Sequence, residues 1–95
     1  MTLDSRAVAD LCARNDIRRL RVFGSFARGD ATASSDLDLL ADFSARKSLF
    51  ELVRIEREFA ETLGVRVDLL TERALHPSLR DRILADARVI YERAA

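Results

Sequence analysis

Apolar and polar positions along the chain follow two periods, and the elements change where the period changes. Leu3, Ala7, Leu11 and Cys12 recur at helical spacing behind Thr2 and Asp4, either of which can cap, and Asn15 suits the left-handed residue that closes a helix. Arg19 to Val22 alternates basic and apolar residues, which predicts a half-buried strand with Leu20 and Val22 facing the core. Gly24 and Ser25 end that strand, Phe26-Ala27-Arg28 reads as a first helical turn, and the small or polar residues from Gly29 to Ser35 predict a loop. The next strand divides by parity, with Leu37, Leu39 and Ala41 on one face and Asp36, Asp38 and Asp42 on the other.

Ser48 and Glu51 have capping-box spacing, and Leu49, Leu52, Val53, Phe59, Ala60 and Leu63 form an apolar stripe down a long helix that ends at Gly64. Glu51, Arg54, Arg57, Glu58 and Glu61 read as its solvated face. A third strand turns Val65, Val67 and Leu69 inward and Arg66 and Asp68 outward. His76-Pro77 breaks the chain, Leu79, Ile83 and Leu84 suggest a short helix with Pro77 near its start, and Val89 to Tyr91 is short enough for an edge strand. The order is helix, strand, strand, helix, strand, helix, strand. It fits an α/β sandwich with helices on one sheet face and the acidic face left open.

Ninety-five residues predict one domain, 1–95, with a single core and no room for a second ligand-binding lobe. The 16 basic and 16 acidic side chains cancel, so the whole-molecule field does not favour nucleic acid as a direct partner. The N-terminus lacks an apolar run long enough for a signal peptide or membrane span, which predicts a cytoplasmic protein that does not engage a membrane. Cys12 has no second cysteine to pair with and reads as a buried helix-face thiol.

The chemistry concentrates between Arg21 and Leu40. Residues two apart on a strand project side by side, about 6–7 Å apart, so Asp36 and Asp38 can share a magnesium ion through hard oxygen ligands. Asp68, on a later strand but of matching parity, can join them. Three carboxylates on one face repel unless they are far apart, protonated or holding a cation. Upstream, Gly24 admits close approach of the backbone to a ligand, and Ser25 opens the turn whose free N–H groups attract phosphate. Asp-Leu-Asp by itself is most simply a solvated strand face; the Gly-Ser turn ahead of it and Asp68 behind it reverse that reading. Arg28 suits a structural ion pair at least as well as a phosphate contact. Arg66 suits either a phosphate or the offsetting of acidic charge. His76 reads as a helix cap and Tyr91 as edge-strand packing.

The pattern G-S-x-x-R-G followed by S-D-x-D, filled by Gly24, Ser25, Arg28, Gly29, Ser35, Asp36 and Asp38, resembles the nucleotidyltransferases of the DNA polymerase β superfamily, and among them the minimal, MNT-type domains. The likeness runs on through Val67–Leu70 to Glu92. It implies a polymerase-β-like fold, a small mixed sheet with helices on one face and the acidic site on the other. It also implies that two magnesium ions and ATP are used, that Asp36, Asp38 and Asp68 are metal ligands and the catalytic set, with Asp68 a possible base, and that Gly24 and Ser25 hold the nucleotide phosphates. Family members this small resemble antitoxins paired with HEPN-type ribonuclease toxins. The expectation is transfer of AMP to a tyrosine of such a partner, and the alternative is a non-catalytic module that neutralises its partner by contact.

Overall fold

The computed structural model describes residues 3–93. Helix α1 (Ser5–Arg14) is capped by Asp4, whose carboxylate accepts from the N–H groups of Arg6 and Ala7; Thr2, the other possible cap, lies outside the described residues. Strand β1 (Ile17–Phe23) leads directly into the one-turn helix α2 (Gly24–Arg28), and β2 (Leu37–Phe43) follows the loop. Helix α3 (Leu49–Leu63) starts with the expected reciprocal capping box between Ser48 and Glu51 and ends at Gly64 with φ 71°. Strand β3 (Val67–Leu70), a 3-10 turn at Glu72–Ala74, helix α4 (Pro77–Asp86) and strand β4 (Arg88–Glu92) complete the order. His76 caps α4 through its ring, which accepts from the N–H of Ser78.

The four strands lie in the order β3-β2-β1-β4. β1 is antiparallel to β2 and β4, and β2 is parallel to β3, so the sheet is mixed. On one face Val8, Leu11 and Cys12 of α1 and Ile55 and Phe59 of α3 pack onto Leu20, Val22, Leu37, Leu39, Val67 and Leu69, as the strand parities required. The Cys12 thiol is buried there and pushed up to about 12 by desolvation. A thiol so held is inert, in line with its reading as core.

Four local expectations change. Asn15 is not left-handed (φ −112°); its buried amide donates to Leu11 O at 2.8 Å and to Glu58 Oε1 at 2.9 Å, and Asp16 takes the positive φ of 59° instead. On α3 the buried line runs through Ile55 and Phe59, whereas Leu49 and Val53 are 74% and 49% exposed. At about 100° per residue those two lie roughly 100° or more round the helix from that line. Leu79 is half exposed, leaving Ile83 and Leu84 to pack. The face bearing the acids is only partly open, because Leu40 shares parity with Asp38 and is fully buried with Phe23 and Leu75 beneath Ile83, Leu84 and Ala87.

Leu39 is fully buried in the main core and Leu49 is solvent-exposed. Leu39→Ala is therefore expected to lower unfolding free energy by about 2–5 kcal/mol, and Leu49→Ala by no more than about 0.5 kcal/mol. Urea titration of both variants checks this; equal losses would return Leu49 to the core.

Candidate active site

The site forms where β1 ends and β2 and β3 begin. Parallel pairing sets Asp38 opposite Asp68, and antiparallel pairing sets Phe23 opposite Asp38, so the residue after Phe23 meets the Asp38 side chain. That residue is Gly24. Its φ is +71°, and a Cβ built on it would overlap Oδ2 of Asp38. Both facts demand glycine: the left-handed backbone is strained for other residues, and the missing side chain leaves room for a carboxylate. Ser25 follows as the second residue of α2, whose N-terminus has no side-chain cap. Among the described residues its hydroxyl makes no hydrogen bond, and it remains available to a ligand.

The acids are unequal. Asp38 is partly buried, and its carboxyl is raised above the usual carboxylate range, first by that burial, then by the neighbouring charges of Asp68 and Asp36 and a hydrogen bond with Asp68; Arg28 opposes the rise. Asp68 is exposed at the open end of the pair. Asp36 lies one residue before β2 and faces Arg66, whose Nε is 2.9 Å from Oδ1. That oxygen is out of water and accepts no hydrogen bond, so the guanidinium sits at ion-pair distance without hydrogen-bond alignment. Arg66 also donates to Ser34 O.

Among the described residues no three metal-ligating side chains already converge. Asp36 is engaged with Arg66 instead. The residues nonetheless fit a divalent cation: Asp38 is raised by burial and by two like charges, and Asp36 has an orphaned oxygen. Of its two readings, Arg66 takes the neutralising one here. Arg28 makes long ion pairs with Asp30 at 3.5 Å and Asp86 at 3.6 Å, so α2 is tied to α4. Asp86 was not readable as a site neighbour, since nothing in its local pattern announces a pairing across 58 positions of chain.

Farther along the same face Asp42 accepts from Arg19 Nε at 2.7 Å and Arg21 reaches Glu72 at 2.6 Å, so these charges are spent on one another. A cavity of about 610 Å³ lies beyond them at the other end of β2 and is not the acidic site. No helix among the described residues is long and apolar enough to cross a membrane.

The chain is similar to known proteins in sequence and in fold. Residues 5–90 match the family described as nucleotidyltransferase domain. A Methanocaldococcus jannaschii protein provisionally named a protein adenylyltransferase is 42% identical over 86% of this chain and 88% of its own length. The protein adenylyltransferase MntA of Thermococcus cleftensis is 35% identical over 86% of this chain and 81% of its own. Among solved structures, a toxin-antitoxin with AMP-PNP superposes with a TM-score of 0.82 at 18% identity, covering 96% of this chain and 75% of that one. A tri-AMPylated Shewanella oneidensis HEPN toxin in complex with MNT antitoxin superposes at 0.71 with 15% identity, over 94% and 70%. At such identities the structures share the fold.

The raised carboxyl of Asp38 fixes a sign. Its ionised form is disfavoured in the fold relative to the unfolded chain, so the protein is most favoured with Asp38 protonated and loses that advantage as pH rises through the raised value. Asp38→Asn should therefore melt above wild type at about pH 7, and the gap should close as pH falls below the ordinary carboxylate range, about 3.9. Calorimetric melts across that window check it; a gap independent of pH would mean that neither burial nor the neighbouring acids raise the Asp38 carboxyl.

Proposed function

The chain belongs to the nucleotidyltransferase domain family, and on that premise we propose that it is a protein adenylyltransferase, an antitoxin that transfers AMP from ATP to a hydroxyl, the acceptor being a tyrosine of a HEPN-type toxin. The names of the relatives support the activity and its protein acceptor, and the fold shared with toxin-antitoxin complexes supports the partner. The observation that carries the reading is the pairing of Asp38 with Asp68 beside Gly24. A half-buried carboxylate and an exposed one stand together there, with a free serine hydroxyl and an uncapped helix start next to them.

In this reading Ser25 and the N–H groups of the Gly24–Ser25 turn hold the β- and γ-phosphates, and the glycine lets the backbone come close enough to do so. Asp36, Asp38 and Asp68 hold magnesium, two ions in the family scheme, which when bound supplies neutralising charge for the triphosphate and the departing pyrophosphate. Asp68 is the exposed member, and it orients the tyrosine hydroxyl and takes its proton. The tyrosine oxygen forms a bond to the α-phosphorus, the bond from that phosphorus to the bridging oxygen breaks, and the electron pair leaves with pyrophosphate. Arg66 must release Asp36 for the metal, and on release its guanidinium is free to meet phosphate. The toxin supplies its own surface to the site, and the reaction belongs in the cytoplasm where ATP is at hand.

Asp68→Asn keeps the side-chain volume but removes a ligand and the proton acceptor, a role typically worth about 10²–10⁴ in rate. With ATP, magnesium and the HEPN-type partner, wild type should add AMP mass to the partner and silence it, and Asp68→Asn should form the complex without adding mass. If both proteins silence the partner equally and neither adds mass, neutralisation is by contact alone.

A further inference from the structure

The acids occupy the N-terminal ends of β2 and β3, and the surface at the opposite ends has a different chemistry. There the cavity of about 610 Å³ is lined by Arg18, Arg46, Lys47 and Arg73, together with Asp42 and Glu72. Both carboxylates are already engaged, Asp42 by Arg19 and Arg21, and Glu72 by Arg21 and Arg80. Lys47 is held by Asp16 at 2.8 Å and by Glu51 at 3.8 Å. Arg18, Arg46 and Arg73 enter no ion pair among the described residues. They come from three separate elements, and they leave the cavity with uncompensated positive charge despite the neutral chain.

A second groove, about 210 Å³, adjoins the first through Leu52 and Thr71 and is lined by Leu49, Val53, Leu70 and Ala74. Leu49, Phe50 and Val53 are 74%, 87% and 49% exposed on the first turns of α3. A cluster of large apolar side chains beside a charged cavity marks an interaction surface. The occupant is not an added strand: β3 is a four-residue edge, and the N–H of Leu69 already donates to Glu56 Oε2 at 2.8 Å. Attachment must therefore come from side chains, apolar ones in the groove and anionic ones among the arginines. An amphipathic helix with carboxylates flanking its apolar stripe presents both at i, i+3, i+4 and i+7.

We propose that this face docks an acidic amphipathic helix of the acceptor protein, seated along Leu49, Phe50 and Val53 with its carboxylates toward Arg18, Arg46 and Arg73. The identity of that partner rests on the adenylyltransferase reading above. Asp38 and Asp42 are four strand residues apart, about 13 Å, so one partner can be gripped at one end of the sheet while it offers its hydroxyl at the other. Specificity then lies in the grip, and the acidic end carries only chemistry. Nucleic acid suits the face less well, since it would leave Leu49 and Val53 uncovered while meeting the arginines.

The test titrates the HEPN-type partner into wild type, into Arg18→Glu/Arg46→Glu/Arg73→Glu, and into Leu49→Ser/Phe50→Ser, at low and high ionic strength. All five side chains are exposed, and thermal melts, with an Arg→Gln triple variant as the milder companion, separate lost docking from lost folding. Charge reversal is expected to weaken binding about a hundredfold and to flatten its salt dependence, and the apolar pair about tenfold. Equal affinities throughout would overturn the proposal, as would failure of the partner to bind any of the proteins. So would a short single-stranded RNA that binds wild type and is lost on charge reversal while the partner's affinity stays put. The readings separate by mass: face-dependent binding with no AMP added keeps the docking surface and removes adenylyl transfer, whereas equal AMP transfer by the charge-reversed protein removes the docking surface alone.

Discussion

Parallel pairing of β2 with β3 forces Asp38 and Asp68 side by side, and antiparallel pairing of β2 with β1 forces Gly24 against the same carboxylate. The register is held from the other face, where Leu37, Leu39, Val67 and Leu69 are buried under α1 and α3. A slip of one residue would bury the acids and expose the leucines, so the hydrophobic core enforces a juxtaposition of charge that local electrostatics resists. The Asp38 carboxyl is raised, first by its burial and then by its acidic neighbours, and Arg66 lies on Asp36. In the proposed reading a bound cation would relieve both. A site strained in the absence of that ion and held in place by a core that cannot relax would be preorganised for it.

Strand parity made much of this legible in the amino-acid sequence. Leu37, Leu39, Val67 and Leu69 had only one dry side to occupy, which put Asp38 and Asp68 on the other, and the capping box at Ser48 and the cap at His76 are local signals that local chemistry honours. What depended on distant partners was harder to read. Asn15 loses its expected left-handed conformation to a bond with Glu58, 43 residues away. The apolar run at Leu49 and Val53 fits a helix stripe by spacing, but only the position of α1 and the sheet decides that Ile55 and Phe59 are the buried line. Leu40 carried the parity of the acids and the hydropathy of the core, and it is α4, docked over it, that resolves the conflict. The three arginines at the far cavity come from separate elements, so no motif could gather them.

In the proposed reading the two ends of β2 divide the labour of the molecule. At one end charge is concentrated against its own repulsion; at the other, charges that could have neutralised the arginines are spent within the Arg19, Asp42, Arg21, Glu72 network. Separating the proposed grip from the proposed chemistry along one strand would let a small sheet do both.

The central claim is that the crowded carboxylates exist to share a cation with a nucleotide. Calorimetric titration of ATP into the protein, once in magnesium and once in EDTA, tests it most directly, because magnesium keeps its waters and draws on phosphate oxygens as ligands. The account predicts binding in magnesium, its loss in EDTA, and its loss again when Asp36→Asn and Asp38→Asn are combined. ATP bound with the same affinity in EDTA, or bound undiminished by the double variant, would contradict it.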